Sequence, residues 1–284
     1  MSSSNVVSRR VAIKSSVFGL MAVSIPNLVY SKSIYAPESV LSNSTNDRFP
    51  AIADEVVSTV VGKSHFDLEG VMELVNKRPE LSRATWDWAF GDWESAVGAA
   101  SHVGRRDIVR YLLSKGAKPN IFTFAMLGSF DTVKSMIEFY PGIQKNYGPH
   151  GISLLSHAKV GLRKKDEMTS TEIENSEKLI DYLEALGDAD GETYLEMTDD
   201  KNLYVGDYKY GDADHEGFSV KVNMRELLSL GKLGAFGGAL YKTGNNTFVY
   251  NGAPSVEVSF QKENNKVVSL TLKEPDLTLV AKKV

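Results

Sequence analysis

The chain of 284 residues contains no cysteine, which removes disulfides, thiolate metal ligands, a cysteine nucleophile and a lipid-modified cysteine anchor. An excess of positive charge is also missing. Lys and Arg number 32 against 36 Asp and Glu, for a formal net charge of −4, so nucleic acid is not an expected partner. The weakly apolar stretch 17–30 contains Gly19 and is broken by Pro26; it falls short of the roughly 20 apolar residues that a membrane span requires. Catalytic signatures are absent as well: there is no G-x-S-x-G elbow, no H-E-x-x-H, no G-x-x-x-x-G-K-[ST] loop and no G-x-G-x-x-G fingerprint. The expectation is therefore a non-enzymatic protein without a cofactor.

What is present is most specific at 92–120. Ser95, Val97, Ala100, Gly104, Ile108, Val109, Leu112, Leu113, Gly116, Ala117 and Asn120 describe two short helices with a glycine turn at Gly104. An apolar stripe, Ile108/Val109/Leu112/Leu113, buries the second helix, and Gly116 ends it with a left-handed residue. This spacing resembles one ankyrin repeat, with two departures: Gly98 stands where that family has the His of T-P-L-H, and Ala96 replaces its Pro. The resemblance implies a stackable scaffold without chemistry of its own.

One such unit cannot bury its apolar face alone, so neighbours are expected. Upstream, the apolar sets Val56/Val57/Val60/Val61 and Leu68/Val71/Met72/Leu74/Val75 predict two helices turned at 62–67, read as a degenerate capping unit. Downstream, 122–128 and 131–137 form a shortened unit ending at Pro141-Gly142. A fourth begins at 151–158 and resumes at 179–190, with a polar insertion at 163–175 expected to loop into solvent. The ankyrin domain is thus expected over 49–190, about four repeats with the first and third degenerate.

At the amino-terminus, Ser8-Arg9-Arg10-Val11-Ala12-Ile13-Lys14 resembles the twin-arginine export motif, with Ala12 at the Phe position. Basic, apolar and small-residue zones follow in the order of a cleaved signal, placing a signal peptide at 1–31 and a Ser/Asn/Pro-rich linker at 32–48. The resemblance implies a periplasmic or secreted protein.

From Leu203 the apolar pattern changes to alternation, with Gly and Asn punctuation. Candidate strands are 206–210, 218–224, 239–242, 246–250, 255–262, 266–273 and 278–282. Tyr204-Val205-Gly206-Asp207-Tyr208, the Leu240 and Phe248 pair, Val256-Glu257-Val258-Ser259-Phe260 and the terminal Ala281-Lys282-Lys283-Val284 resemble the small β-barrel appended to serine β-lactamase-like hydrolases. The expected fold class is α+β multidomain: a helical ankyrin solenoid, a linker at 191–202, and a small antiparallel lipocalin-like barrel at 203–284.

Two clusters could hold a metal, and neither is taken to. Asp212, Asp214, His215 and Glu216 share the loop 211–217, where Asp, Gly and His are ordinary turn residues. His150 and His157 flank the start of the fourth unit and read as braces of a loop. The glycine-rich run 231–238 reads as a flexible or bulged connection. More suggestive are the aromatic residues. Trp86, Trp88, Phe90 and Trp93 fall in the connection 84–93, and Phe122 and Phe124 in the corresponding connection one unit later; with His150 they are the candidate protein-binding residues. The alternative to anchoring is packing between successive fingers.

The functional expectation is an exported scaffold that binds an unidentified protein. The alternative is a barrel holding a small apolar ligand, which a cavity of about 300 Å³ or more inside the barrel would favour. Replacing Arg9 and Arg10 by Lys should leave precursor in the cytoplasm, measured by fractionation and immunoblotting; unchanged secretion would exclude the twin-arginine route.

Overall fold

The computed structural model describes residues 51–191, 194–251 and 253–284. The expected signal peptide at 1–31 and the linker at 32–48 lie outside these residues.

The amino-terminal half is built of short helices. α1 (Asp54–Lys63) and α2 (Leu68–Lys77) bury Val60, Val61, Val71 and Val75, and Asp67 opens α2 by accepting from Gly70 N at 2.9 Å. A hairpin follows, with β1 (Thr85–Asp87) and β2 (Trp93–Ser95) paired antiparallel. Ser95 then caps α3 (Ala96–His102), accepting from Gly98 N. Gly104, at φ +79°, takes the left-handed conformation that the turn into α4 (Arg106–Ser114) needs. α5 (Ile121–Met126), α6 (Phe130–Phe139), α7 (Leu154–Val160) and α8 (Ser170–Leu186) complete the set.

Consecutive helices pack in pairs, and the pairs lie in series: α1 touches α3, α3 touches α5, and α5 touches α7. Two apolar clusters fill the space between them. The first gathers Val60, Val71, Val97, Ile108, Val109 and Leu112, the second Ile121, Ala125, Val133, Leu154, Leu179 and Leu183. Arg106, 2% exposed, donates to the carbonyls of Met126, Leu127 and Gly161 at 3.0–3.2 Å. Those carbonyls belong to helix ends, where no intrahelical donor remains.

Two sequence expectations are corrected here. The segment 163–175 is not a loop throughout: α8 begins at Ser170, because Thr169 and Glu172 form a reciprocal capping box. Phe122 and Phe124 lie within α5 rather than in a connection, since Asn120 accepts from Thr123 N and starts the helix one residue before them.

Residues from Gly206 onward close an eight-stranded antiparallel barrel. Its strands are β3 (Gly206–Lys209), β4 (Gly217–Val222), β5 (Leu228–Lys232), β6 (Gly238–Gly244), β7 (Thr247–Tyr250), β8 (Ala253–Glu263), β9 (Lys266–Glu274) and β10 (Leu277–Lys283). Each pairs with its sequence neighbours, and β10 pairs with β3 to close the ring, which leaves no free edge. Asn264 and Asn265, both at positive φ, supply the two left-handed residues that a tight hairpin between β8 and β9 requires. β5 was missing from the expected strands, because Gly231 and Gly238 belong to strands rather than to a loop. A side chain at Gly231 would meet the Phe236 backbone at 2.7 Å, so the glycine permits close approach.

The barrel interior is filled by rings. Phe260 makes edge-to-face contacts with Tyr204, Tyr208 and Phe248 at centroid distances of 5.0–5.9 Å, and Val258, Leu270, Leu272 and Ala281 complete the core. Part of the expected linker packs on the barrel: Leu195 N donates to Lys242 O, and Asp199 accepts from Tyr204 Oη and Lys262 Nζ. Helices and barrel belong to one compact unit, residues 52–284.

Leu112 is fully buried and Leu113 only partly. Leu112→Ala should therefore cost about 2–5 kcal/mol in equilibrium urea unfolding and Leu113→Ala clearly less; equal losses would place the two side chains on the wrong faces.

Candidate metal centre

The most unusual chemistry gathers where the hairpin meets the helices. Glu94 is the central residue of β2, and strand alternation turns its side chain inward while Trp93 points out. His65 lies in the turn after α1, and His102 is the last residue of α3. His150 stands in the turn Pro149–Gly151 at φ +60°, a conformation that few side chains adopt.

These four residues converge. One ring nitrogen from each histidine and a Glu94 oxygen all lie within 4.8 Å of one another. Nε2 of His102, His150 and His65 stands 3.0, 3.3 and 3.4 Å from the Glu94 oxygens. A tetrahedral ion with bonds of about 2.0–2.1 Å has ligand-to-ligand edges of about 3.4 Å, close to the three histidine-to-Glu94 distances, and the remaining separations, all within 4.8 Å, would draw in around an ion.

The outer nitrogens are tied down in two of the three rings. His65 Nδ1 lies 2.9 Å from Gly62 O, and His150 Nδ1 2.7 Å from Asp92 Oδ2. Such bonds on Nδ1 orient the ring and leave Nε2 to face the centre. Asp92 also accepts from His150 N at 2.9 Å and from Asn251 Nδ2 at 3.2 Å. Trp88 Nε1 donates to Glu94 Oε2 at 2.7 Å, yet Glu94 Oε1 and His102 Nε2, both buried, have no hydrogen-bond partner among the described residues. These two atoms stand 3.0 Å apart as an ion pair without an aligned hydrogen bond between them.

Charge leads to the same place. Asp92 and Glu94 are 3% and 0% exposed, and two buried carboxylates require compensation. Burial opposes the Glu94 carboxylate, yet the His102 and His150 imidazoles hold it well below the usual range. Burial also disfavours charge on His150, but Asp92 and Glu94 outweigh it and push this ring up to about 10; burial depresses His102. A proton on His150 offsets one of the two negative charges. A divalent ion held by the same donors would offset both.

Sequence reasoning paired His150 with His157, and the structure pairs it instead with His65 and His102. His157 is buried in α7, its Nδ1 2.8 Å from Ser153 O and its ring 4.9 Å from Phe122; burial lowers it to about 4. The loop 211–217 keeps Asp212, Asp214 and His215 exposed. Of the candidate binding residues, Trp93 is 64% exposed, Trp88 39% and Phe90 36%. Trp86 is half-buried on the helical core, as Phe124 is on the second cluster, and Phe122 is buried. The ligands His65, Glu94 and His102 had no local motif to reveal them. A usable signal was that His65 and His102 both fall at the ends of the first helices of successive pairs.

Compared with family models, with characterised proteins and with solved structures, the chain matches none.

Proposed function

We propose that this protein binds one divalent transition-metal ion through His65, Glu94, His102 and His150. The observation that carries the reading is the convergence of these four donors, two of which, Glu94 Oε1 and His102 Nε2, are buried without an aligned hydrogen bond. Three imidazoles with one carboxylate suit zinc and its first-row neighbours better than calcium or magnesium, which prefer oxygen ligands throughout. Asp92 acts behind His150, fixing its tautomer and orientation. The serial helix pairs are read as an ankyrin-type array and the barrel as lipocalin-like in shape, and the twin-arginine-like segment supports export; a periplasmic metal-binding scaffold is consistent with all three.

Isothermal titration with zinc, checked by elemental analysis, is expected to give one ion per chain. Glu94→Gln and His102→Ala each remove a ligand and should abolish stoichiometric binding, while Asp92→Asn should weaken it roughly 10- to 100-fold. Failure of zinc, cobalt and manganese all to bind would overturn the reading.

A second reading, protein binding by the hairpin, is favoured by Trp93, whose ring stands 64% exposed beside a groove of about 380 Å³ lined by Asn120, Tyr147 and Pro149. A pocket of about 250 Å³ lined by the barrel residues Leu228, Leu240 and Phe248 is smaller than a small-molecule site usually requires, which supports this role over that of a barrel carrying an apolar ligand. Trp93→Ala should leave the urea midpoint within experimental error, whereas Trp86→Ala should cost about 2 kcal/mol or more. A large loss of stability for Trp93→Ala would make that ring structural and remove the anchor.

A further inference from the structure

A cleft of about 720 Å³ opens beside the metal centre, and His102 and His150 form part of its wall. These two rings belong both to the candidate centre and to the cleft wall, and His150, 23% exposed, is the more open of the pair. The opposite wall comes from the barrel, through the segment 236–239 and through Tyr250 and Asn251.

Three features of the wall describe an occupant. The first is charge: Arg163 and Arg225 both line the cleft and neither has a carboxylate partner among the described residues. Arg225 lies over the Tyr241 ring at 5.8 Å, which holds the guanidinium in place without neutralising it. Asp92 and Glu94 already match the charge of a divalent ion, so the two arginines remain to balance an anion. The second is apolar surface: Ile152, Val160 and Phe236 line the same space, and Phe236 is 66% exposed although it is a large ring. The third is a single unmet acceptor. Asn251 is 1% exposed, its Nδ2 is committed to Asp92, and its Oδ1 has no donor. Because the Asp92 carboxylate can only accept, the amide cannot flip, and Oδ1 stays available to an incoming O–H or N–H.

We infer that this cleft binds a small organic acid: a carboxylate on an apolar body that also carries a hydroxyl or amine. The inference rests on the metal reading above. The carboxylate pairs with the arginines and expands the ion from four to five ligands, the apolar body lies against Phe236, Ile152 and Val160, and the donor meets Asn251 Oδ1. The volume falls within the range of about 300–1,000 Å³ typical of small-molecule sites.

The full-length protein, loaded with zinc or with cobalt, is titrated with 3-phenyllactate, its methyl ester and inorganic phosphate. Phenyllactate is expected to bind the zinc form, to change the visible spectrum of the cobalt form, and to lose binding when the metal is stripped. Arg163→Ala and Arg225→Ala, both at exposed positions, should each weaken phenyllactate about tenfold and leave zinc affinity unchanged. The ester and phosphate should bind at least tenfold more weakly than the acid. Zinc binding without phenyllactate binding would overturn this inference and leave the metal reading standing, as would equal binding of the ester or of phosphate. Absence of zinc binding would remove both.

Discussion

Asp92 is the group on which the arrangement depends. Its two oxygens meet the His150 backbone, the His150 ring and the Asn251 amide, so one carboxylate joins the hairpin, the turn before α7 and the barrel. A buried carboxylate is tolerated only when its lone pairs are satisfied, and that requirement fixes all three partners at once. It also accounts for His150 at φ +60°: a bidentate hold on backbone and ring offsets a conformational cost of order 1–3 kcal/mol.

The barrel contributes none of the four candidate ligands, but it sets their surroundings. Tyr241 Oη donates to His150 O at 3.3 Å, and Phe90 packs edge-on against Tyr250 at 5.1 Å. The barrel meets the helical part where Asn251 reaches Asp92 and Tyr250 reaches Phe90. The candidate ligands all come from the hairpin and from the turns and ends of the helices.

Much of the fold was legible in the sequence for local reasons. Gly104 and Gly116 mark turns that only left-handed residues make, Ser95 marks a helix start, and Asn264-Asn265 marks a hairpin. Where reading failed, a nearby signal was outweighed: Gly231 and Gly238 suggested a loop because the close backbone approach that favours them is a tertiary contact, and the Thr169–Glu172 box was hidden in a polar run. The candidate metal centre was illegible for a different reason. His65 and His150 are far apart in sequence and meet through the stacking of helix pairs, so no spacing within any one segment encodes the site. The aromatic finger was readable as an exposed hairpin, whereas the tie between Trp88 and Glu94 depends on the pairing of β1 with β2.

Arg106 carries a consequence for how the helical part comes apart. Linear arrays of repeated units can unravel from one end, since each unit contacts only its neighbours. Here a single guanidinium at the start of α4 satisfies the carbonyls at the ends of α5 and α7. Detaching the last helix pair would remove the Gly161 acceptor and leave those of Met126 and Leu127, a cost of about 1.5–3 kcal/mol for one hydrogen bond to a charged group. Fraying is thereby opposed from within, and the helices are bound into a cooperative whole that melts together.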